Sequence, residues 1–180
     1  VVANDEEPGR CDIQRIPAMR PAFAKDGTVT AATSSSISDG AAAVLLMTAS
    51  EAARRGLRPL ARIVAQASHA QEPEWFTTAP APAVRKVLAA SGWQVADVDL
   101  FEINEAFACV TMAAMQELGI THDKVNVNGG ACALGHPIGA TGARLLVTLI
   151  HALKQRRVTR GVATACIGGG EAIATALELL

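Results

Sequence analysis

Aromatic and charged residues are scarce in this sequence of 180 residues. Only 3% are aromatic and none is tyrosine, which disfavours stacking surfaces for bases or sugars. Charged residues make up 18%, and 16 basic against 17 acidic side chains leave a net charge of −1. Such a balance gives no electrostatic attraction for nucleic acid and suggests no acidic partner. Half of the residues are apolar, so a folded domain is expected rather than a disordered chain.

Paired cysteines and long apolar segments are missing as well. The four cysteines form no C-x-x-C pair, which argues against a disulfide framework or a zinc ribbon and favours a reducing compartment. The longest apolar stretches, residues 41–47 and 145–153, fall short of the roughly 18 residues of a membrane span. The first seven residues resemble no signal peptide and suggest a chain that begins inside a longer one. We expect a soluble, cytoplasmic protein with no membrane or nucleic-acid partner.

Alternating apolar segments predict an α/β fold with a layered mixed sheet after an irregular start over residues 1–38. Ser50 is expected to cap the first helix, and the three glycines at 168–170 to turn a hairpin. A candidate domain boundary lies at residues 56–59. Strands are predicted at residues 40–47, 62–67, 99–103, 161–165 and 172–179, and helices at 51–55, 82–90, 105–118 and around 145–153.

Three short segments place reactive side chains beside glycines at element ends, where a ligand can approach the backbone. They are residues 104–107 (N-E-A-F), 135–142 (G-H-P-I-G-A-T-G) and 166–170 (C-I-G-G-G). Each has a plain structural alternative. Asn104 would serve as a helix N-cap, His136 as a loop end, and Cys166 as an inert buried thiol.

The surroundings of His136 and Cys166 also suggest acyl chemistry. Pro137 suits the first turn of the next helix, so His136 would lie beside the positive end of the helix dipole, which disfavours the imidazolium form. A neutral histidine can act as a general base. The glycines after Cys166 offer backbone N–H groups for an oxyanion hole. A base, a thiol and N–H donors together fit the transfer of an acyl group.

Metal and nucleotide sites are disfavoured. Zinc would draw on Cys132, His136 and Cys166, three candidates where a closed site needs about four ligands. The glycine-rich stretches lack the G-K-[ST] ending of a phosphate-binding loop and the G-x-G-x-x-G of a dinucleotide site.

Four motifs, taken in order, resemble the thiolase family over essentially the whole chain. They are D-G-A-A-A at residues 39–43, N-E-A-F-A at 104–108, V-N-V-N-G-G-A at 125–131 continuing to G-H-P-I-G-A-T-G-A-R at 135–144, and C-I-G-G-G-E at 166–171. The resemblance implies two similar α/β cores with a loop domain over the active site. It also implies an acyltransferase of the acetyl-CoA acetyltransferase type, which makes or cleaves acetoacetyl-CoA or another 3-ketoacyl-CoA by Claisen chemistry.

The resemblance is to the C-terminal half of that family. Residues 1–56 would be the tail of the loop domain with the last strand and helix of the first core, and residues 57–180 the C-terminal core, a mixed five-stranded sheet flanked by helices. The family's nucleophilic cysteine belongs to the other half, so the chain alone is expected to be inactive. The resemblance further implies acyl-CoA and coenzyme A as substrates, no metal or other cofactor, an N-terminal thiolase half as partner, a homodimer or homotetramer, and a place in fatty acid metabolism.

Residue roles follow from the motifs that match. His136 would activate the nucleophilic cysteine and polarise the thioester oxygen, and Cys166 would take a proton from the α-carbon of the second acyl-CoA. Asn104 would hold a water in the first oxyanion hole, while the Gly168 N–H would donate in the second. The positions matching those near the pantetheine arm and the acyl group are Ser35, Phe76 and Phe107.

Two stretches depart from the family pattern. T-A-A-T-S-S-S-I-S-D-G at residues 30–40 replaces two glycines and two asparagines of the usual T-A-G-N-A-S-G-I-N-D-G. F-T-T-A-P-A-P-A at residues 76–83 replaces M-G-I-G-P-V-P-A and puts a bulkier side chain near the acyl pocket. Two alternatives stay open: a non-catalytic CoA-binding or scaffold module of the same fold, and a thiol hydrolase that uses Cys166 itself.

Overall fold

The structure, a computed structural model, describes residues 3–180, apart from the side chains at positions 7 and 8. Within that part of the chain, six α-helices and four strands are joined by short 3-10 turns. The helices are α1 (Glu7–Arg10), α2 (Ala49–Arg54), α3 (Pro80–Ser91), α4 (Ala108–Leu118), α5 (Ala131–Leu134) and α6 (Thr141–Arg156). The strands are β1 (Ala61–Ala70), β2 (Leu100–Ile103), β3 (Arg160–Ile167) and β4 (Glu171–Leu179).

The strands form one mixed sheet in the order β1-β4-β3-β2. Strand β4 is antiparallel to β1 and to β3, whereas β2 runs parallel to β3. Ile167 pairs with Glu171, so residues 168–170 form the turn of a hairpin, as the triple glycine predicted. The layered mixed sheet is confirmed. The expected count of five strands is wrong, because four strands make up the sheet of the described residues.

Residues 40–47 do not form the predicted strand. The side chains of Leu45 and Leu46 are 81% and 66% exposed, and no strand of the described sheet pairs with this segment. A strand is stable only when a neighbouring strand exchanges hydrogen bonds with it, and none of the described strands does so here. Apolar composition therefore indicated a segment suited to burial without indicating what would cover it.

Side chains alternate between the two faces of the sheet, and each face buries a separate core. Phe101 and Ile103 pack on the face covered by α3 and α4. Leu100 packs on the opposite face, among the leucines of α6. Among the described residues, no helix is long and apolar enough to cross a bilayer.

Two helix starts differ from the sequence-based expectation. Helix α2 is capped by Thr48 rather than Ser50, since the Thr48 hydroxyl accepts a hydrogen bond from the Glu51 N–H at 3.2 Å. Helix α4 begins at Ala108 rather than at residue 105, because the preceding chain is extended at Phe107 and bridges to Ser34. Asn104 is consequently not the N-cap of α4, and residues 104–107 form a loop at the end of β2.

Gly161 lets Leu149 of α6 pack directly against the sheet. A Cβ atom at this position of β3 would lie 2.8 to 2.9 Å from three side-chain atoms of Leu149. We predict that Gly161→Val lowers the free energy of unfolding by about 1–3 kcal/mol, the usual cost of overpacking a core. Gly142→Ala, where a Cβ meets nothing within 4 Å, is the matched control. Urea denaturation of both variants checks this, and equal stability of Gly161→Val and the parent chain would contradict it.

Candidate active site

The parallel pairing of β2 and β3 brings two of the predicted site residues to one edge of the sheet. Ile103 is in register with Thr164, and the next residue, Asn104, donates its backbone N–H to the Thr164 carbonyl at 2.9 Å. Cys166 follows two residues later on β3. The carboxyl ends of parallel strands are where open α/β sheets bind their ligands. This edge is therefore the candidate active site.

The side-chain amide of Asn104 is held in one orientation. Asn104 is 1% exposed, and its Oδ1 accepts a hydrogen bond from Arg144 Nη2 at 3.1 Å. Since the oxygen is turned toward Arg144, the NH2 group faces the other way, where Nδ2 lies 3.4 Å from His136 Nε2. Asn104 and His136, 32 residues apart in sequence, thus lie side by side.

The hydrogen bonds around His136 define which ring nitrogen carries the proton. The Thr141 hydroxyl donates to the Pro137 carbonyl at 3.0 Å, so its oxygen accepts from His136 Nδ1–H at 2.7 Å. Nε2 then carries the lone pair, which fits the Asn104 NH2 group that points at it. Nε2 is therefore the ring nitrogen that can accept a proton.

Two effects lower the pKa of His136. Burial is the larger, and the positive charge of Arg144 adds to it. The sequence predicts a neutral imidazole because of the dipole of the next helix. In the structure, burial and the charge of Arg144 account for the lowered pKa. The backbone holds the residue as well, because the His136 N–H donates to the Ser36 carbonyl at 2.9 Å.

A buried ion pair lies behind Asn104. Glu102 on β2 has a side chain that is 2% exposed, and its Oε1 accepts from Arg144 Nη1 at 3.0 Å. Burial raises the pKa of Glu102 to about 7, while Arg144 acts in the opposite direction. Arg144 therefore contacts Glu102 and Asn104 with two different nitrogens of its guanidinium group.

Cys166 lies at the same edge but on the other face of the sheet. It pairs with Ala172, which belongs to the core under α3 and α4. Burial raises the pKa of the Cys166 thiol. In the described part of the chain, no hydrogen bond joins Cys166 to His136.

The glycine turn beside Cys166 is open at one end and tightly packed at the other. Gly168 is exposed and has free space where a Cβ would lie. Gly170 has φ +100°, and a Cβ there would overlap the Gln71 carbonyl, so only glycine fits. Gly168 is thus accessible to a ligand, whereas Gly170 fixes the turn.

The residues predicted to lie near an acyl chain form an aromatic cluster. Phe107 makes edge-to-face contacts with Phe76, at 6.3 Å between ring centroids, and with Phe23, at 5.6 Å. Ser35 lies against the same loop, where its hydroxyl donates to the Ala106 carbonyl at 3.0 Å. The structure brings Phe76, Phe107 and Ser35 together, and it adds Phe23, which the sequence analysis did not single out.

Polar side chains fasten the 104–107 loop to the glycine-rich segment. Glu105 accepts from Asn126 Nδ2 at 3.0 Å and from the backbone N–H of Cys132 at 3.2 Å. A Cβ at Gly130 would overlap the Glu105 carboxylate, which explains the glycine there. Burial raises the pKa of Cys132 to about 11, so this thiol stays protonated. Among the side chains that the structure describes, no cluster of His, Cys, Asp and Glu could hold a metal ion.

Sequence analysis overlooked Glu102, Thr141 and Arg144. Thr141 and Arg144 lie in the quoted 135–144 motif, three residues and about one helical turn apart, so both face the same side of α6. Glu102 carried its own signal: a carboxylate inside a predicted buried strand is rare unless paired.

Removing the Thr141 hydroxyl tests the tautomer of His136 directly. We predict that Thr141→Val raises the population of the Nε2–H form, because the Nδ1–H loses its acceptor in a buried place. A hydrogen bond of about 1 kcal/mol corresponds to a shift of about fivefold in the tautomer ratio. Imidazole 15N chemical shifts of His136 measure the ratio, with Thr148→Val on the same helix as control. An unchanged ratio in Thr141→Val would show that the Thr141 hydroxyl does not fix the tautomer of His136.

Comparison with known proteins adds the following findings. A family model for the thiolase C-terminal domain matches residues 57–179, and one for the thiolase N-terminal domain matches residues 1–50. Acetyl-CoA acetyltransferase of Rhizobium meliloti is 54% identical over 93% of this chain and 43% of that protein. The crystal structure of Bacillus anthracis acetyl-CoA acetyltransferase superposes with a TM-score of 0.94 at 46% identity, covering 100% of this chain and 46% of the other.

A second solved structure, Acat5 thiolase from Ascaris suum in complex with coenzyme A, has a TM-score of 0.89 and 42% identity. It is matched over 99% of this chain and 47% of its own length. The chain thus spans less than half the length of the relatives it matches.

Proposed function

Since the chain belongs to the thiolase family, we propose that it forms the C-terminal part of an enzyme that makes or cleaves acetoacetyl-CoA or another 3-ketoacyl-CoA. The observation that carries this proposal is the meeting of His136 Nε2 with the Asn104 NH2 group at the carboxyl ends of β2 and β3. A lone pair and an N–H donor side by side can accept a proton and then stabilise a developing oxyanion.

In the first half of the reaction, His136 Nε2 takes the proton of a nucleophilic cysteine thiol contributed from outside these 180 residues. The thiolate attacks the thioester carbonyl, and the new Nε2–H stabilises the oxyanion together with a water held by the Asn104 NH2 group. Cys166 gives its proton to the departing CoA thiolate as the tetrahedral intermediate collapses. The enzyme is left acylated, with Cys166 as a thiolate.

In the second half, the Cys166 thiolate takes a proton from the α-carbon of the incoming acetyl-CoA. The carbanion attacks the acyl-enzyme, and the Gly168 N–H donates to the enolate oxygen. Collapse of the new tetrahedral intermediate breaks the bond to the nucleophilic cysteine, which leaves as a thiolate and takes back the proton held on His136 Nε2. A thiol whose pKa burial raises suits this work, because it is a neutral acid first and a strong base once deprotonated. The aromatic cluster of Phe23, Phe76 and Phe107 is the surface we assign to the pantetheine arm or the acyl group, with Ser35 beside it.

The thiol hydrolase alternative has less support. No hydrogen bond joins His136 to Cys166 in the described part of the chain, and burial disfavours the Cys166 thiolate that a nucleophile would have to form at the first step. A scaffold module would not need Asn104 and His136 to meet in the orientation they have. The same proposal includes coenzyme A substrates, a domain boundary after residue 56 and an N-terminal thiolase half packed on the exposed 44–47 segment. It also includes a homodimer or homotetramer, a cytoplasmic location and a role in fatty acid metabolism.

Reconstitution tests the function. We expect no thiolysis of acetoacetyl-CoA by the 180-residue chain alone, because covalent catalysis needs the nucleophilic cysteine of the family. Joining the chain behind the unmatched N-terminal part of the Rhizobium meliloti relative should restore release of acetyl-CoA. The same fusion with His136→Ala is the control. A fusion that folds and binds coenzyme A without turnover would favour the scaffold alternative, and turnover by the chain alone would favour the hydrolase.

Single substitutions in the active fusion separate the two half-reactions. Cys166→Ala should still allow acetylation of the enzyme by acetyl-CoA, because the CoA thiol can depart as a thiolate without a proton from Cys166. It should slow deuterium wash-in at the acetyl methyl group by about 10²–10⁴-fold, the usual effect of a lost acid or base. His136→Ala should slow acetylation itself. Mass spectrometry measures both, with Cys109→Ala as the matched cysteine control. Loss of acetylation with intact wash-in in Cys166→Ala would overturn the role assigned to this thiol.

A further inference from the structure

The ion pair between Glu102 and Arg144 is unusual because the Glu102 carboxylate is buried and because Arg144 also contacts Asn104. Burying a carboxylate in a strand costs free energy unless a cation and hydrogen bonds compensate it. Arg144 supplies the cation, and its second nitrogen continues past Glu102 to Asn104 Oδ1. The pair therefore ends on a residue of the candidate site rather than on solvent.

We propose that Glu102 and Arg144 are a positioning pair, in which the guanidinium held by Glu102 fixes the Asn104 amide with its NH2 group toward His136 Nε2. The effect of this pair on turnover rests on the proposed function, whereas its effect on the orientation of Asn104 rests on the contacts alone. Neither residue touches the reacting atoms in this account, since both act through Asn104 and His136.

Flipping the Asn104 amide would break two contacts at once. The NH2 group would face the guanidinium, donor against donor, and Oδ1 would face the Nε2 lone pair, acceptor against acceptor. Lysine could not replace arginine here, because one ammonium group lacks the planar fork whose two nitrogens serve Glu102 and Asn104.

The charge of Arg144 has a second effect. It disfavours a proton on His136, and it is paired with the carboxylate of Glu102. The negative charge of Glu105, on the loop after β2, raises the pKa of Glu102. Removing Arg144 should therefore raise the pKa of His136, whereas removing the carboxylate of Glu102 should not raise it.

Titration of His136 by imidazole 15N NMR in the 180-residue chain tests the charge effect without any turnover. Arg144→Met should raise the pKa of His136, and Glu102→Gln should leave it unchanged or lower it. The surface variant Arg85→Met, which removes a guanidinium bound to Glu117, is the matched control. General loosening of the site would raise the pKa in both Arg144→Met and Glu102→Gln, and that result would overturn the proposal, as would no shift in Arg144→Met.

Arg144→Lys separates orientation from charge and keeps the test open if Arg144→Met does not fold. The pKa of His136 should stay low, while the Asn104 side-chain NH2 signals in a 1H–15N spectrum should lose their wild-type positions. In the active fusion, kcat should fall by about 10²-fold with KM for acetyl-CoA unchanged, as for a group displaced by about 1 Å. Wild-type kcat in Arg144→Lys would overturn the positioning role. An inactive wild-type fusion would instead count against the proposed function and leave the NMR result standing.

Discussion

The parallel pairing of β2 with β3 is the constraint on which the rest of the site depends. Two strands that run the same way end at the same edge, so the Asn104 loop and the Cys166 turn, 62 positions apart in number, become neighbours. The connection between the strands includes α6, whose first turn brings Thr141 and Arg144 to that edge. One pairing therefore gathers a base, an amide, a thiol and a guanidinium group.

Polar contacts rather than apolar packing shape the loops at this edge. The Asn126 side chain exchanges hydrogen bonds of 2.8 Å with both the N–H and the carbonyl of Ile103, as a neighbouring strand would. Glu105 fastens the next loop to the start of α5. A buried network of this kind is stabilising only when its members are satisfied, so each loop conformation is specified by several partners at once.

Local patterns predicted the elements better than the contacts between them. The hairpin at residues 168–170 was predictable because the glycines of its turn and the two strands it joins follow one another directly in the sequence. The start of α4 was not, since a cap preference at Asn104 is weaker than the long-range contacts to Arg144 and Ser35 that hold the loop open. The family motifs brought Asn104, His136 and Cys166 into consideration. The partners of those residues, Glu102 and Arg144, depend on which face of β2 meets α6, and that is a property of the sheet.

The bond from His136 Nδ1 to Thr141 has a dynamic implication. Because the Thr141 hydroxyl is committed to the Pro137 carbonyl, the imidazole has one resting orientation against the first turn of α6. A proton taken up by this ring can then enter and leave only through Nε2. The ring needs no flip between accepting a proton from a thiol and presenting it to an oxygen, so the two events share one geometry, and the site has no rotational step to wait for between them.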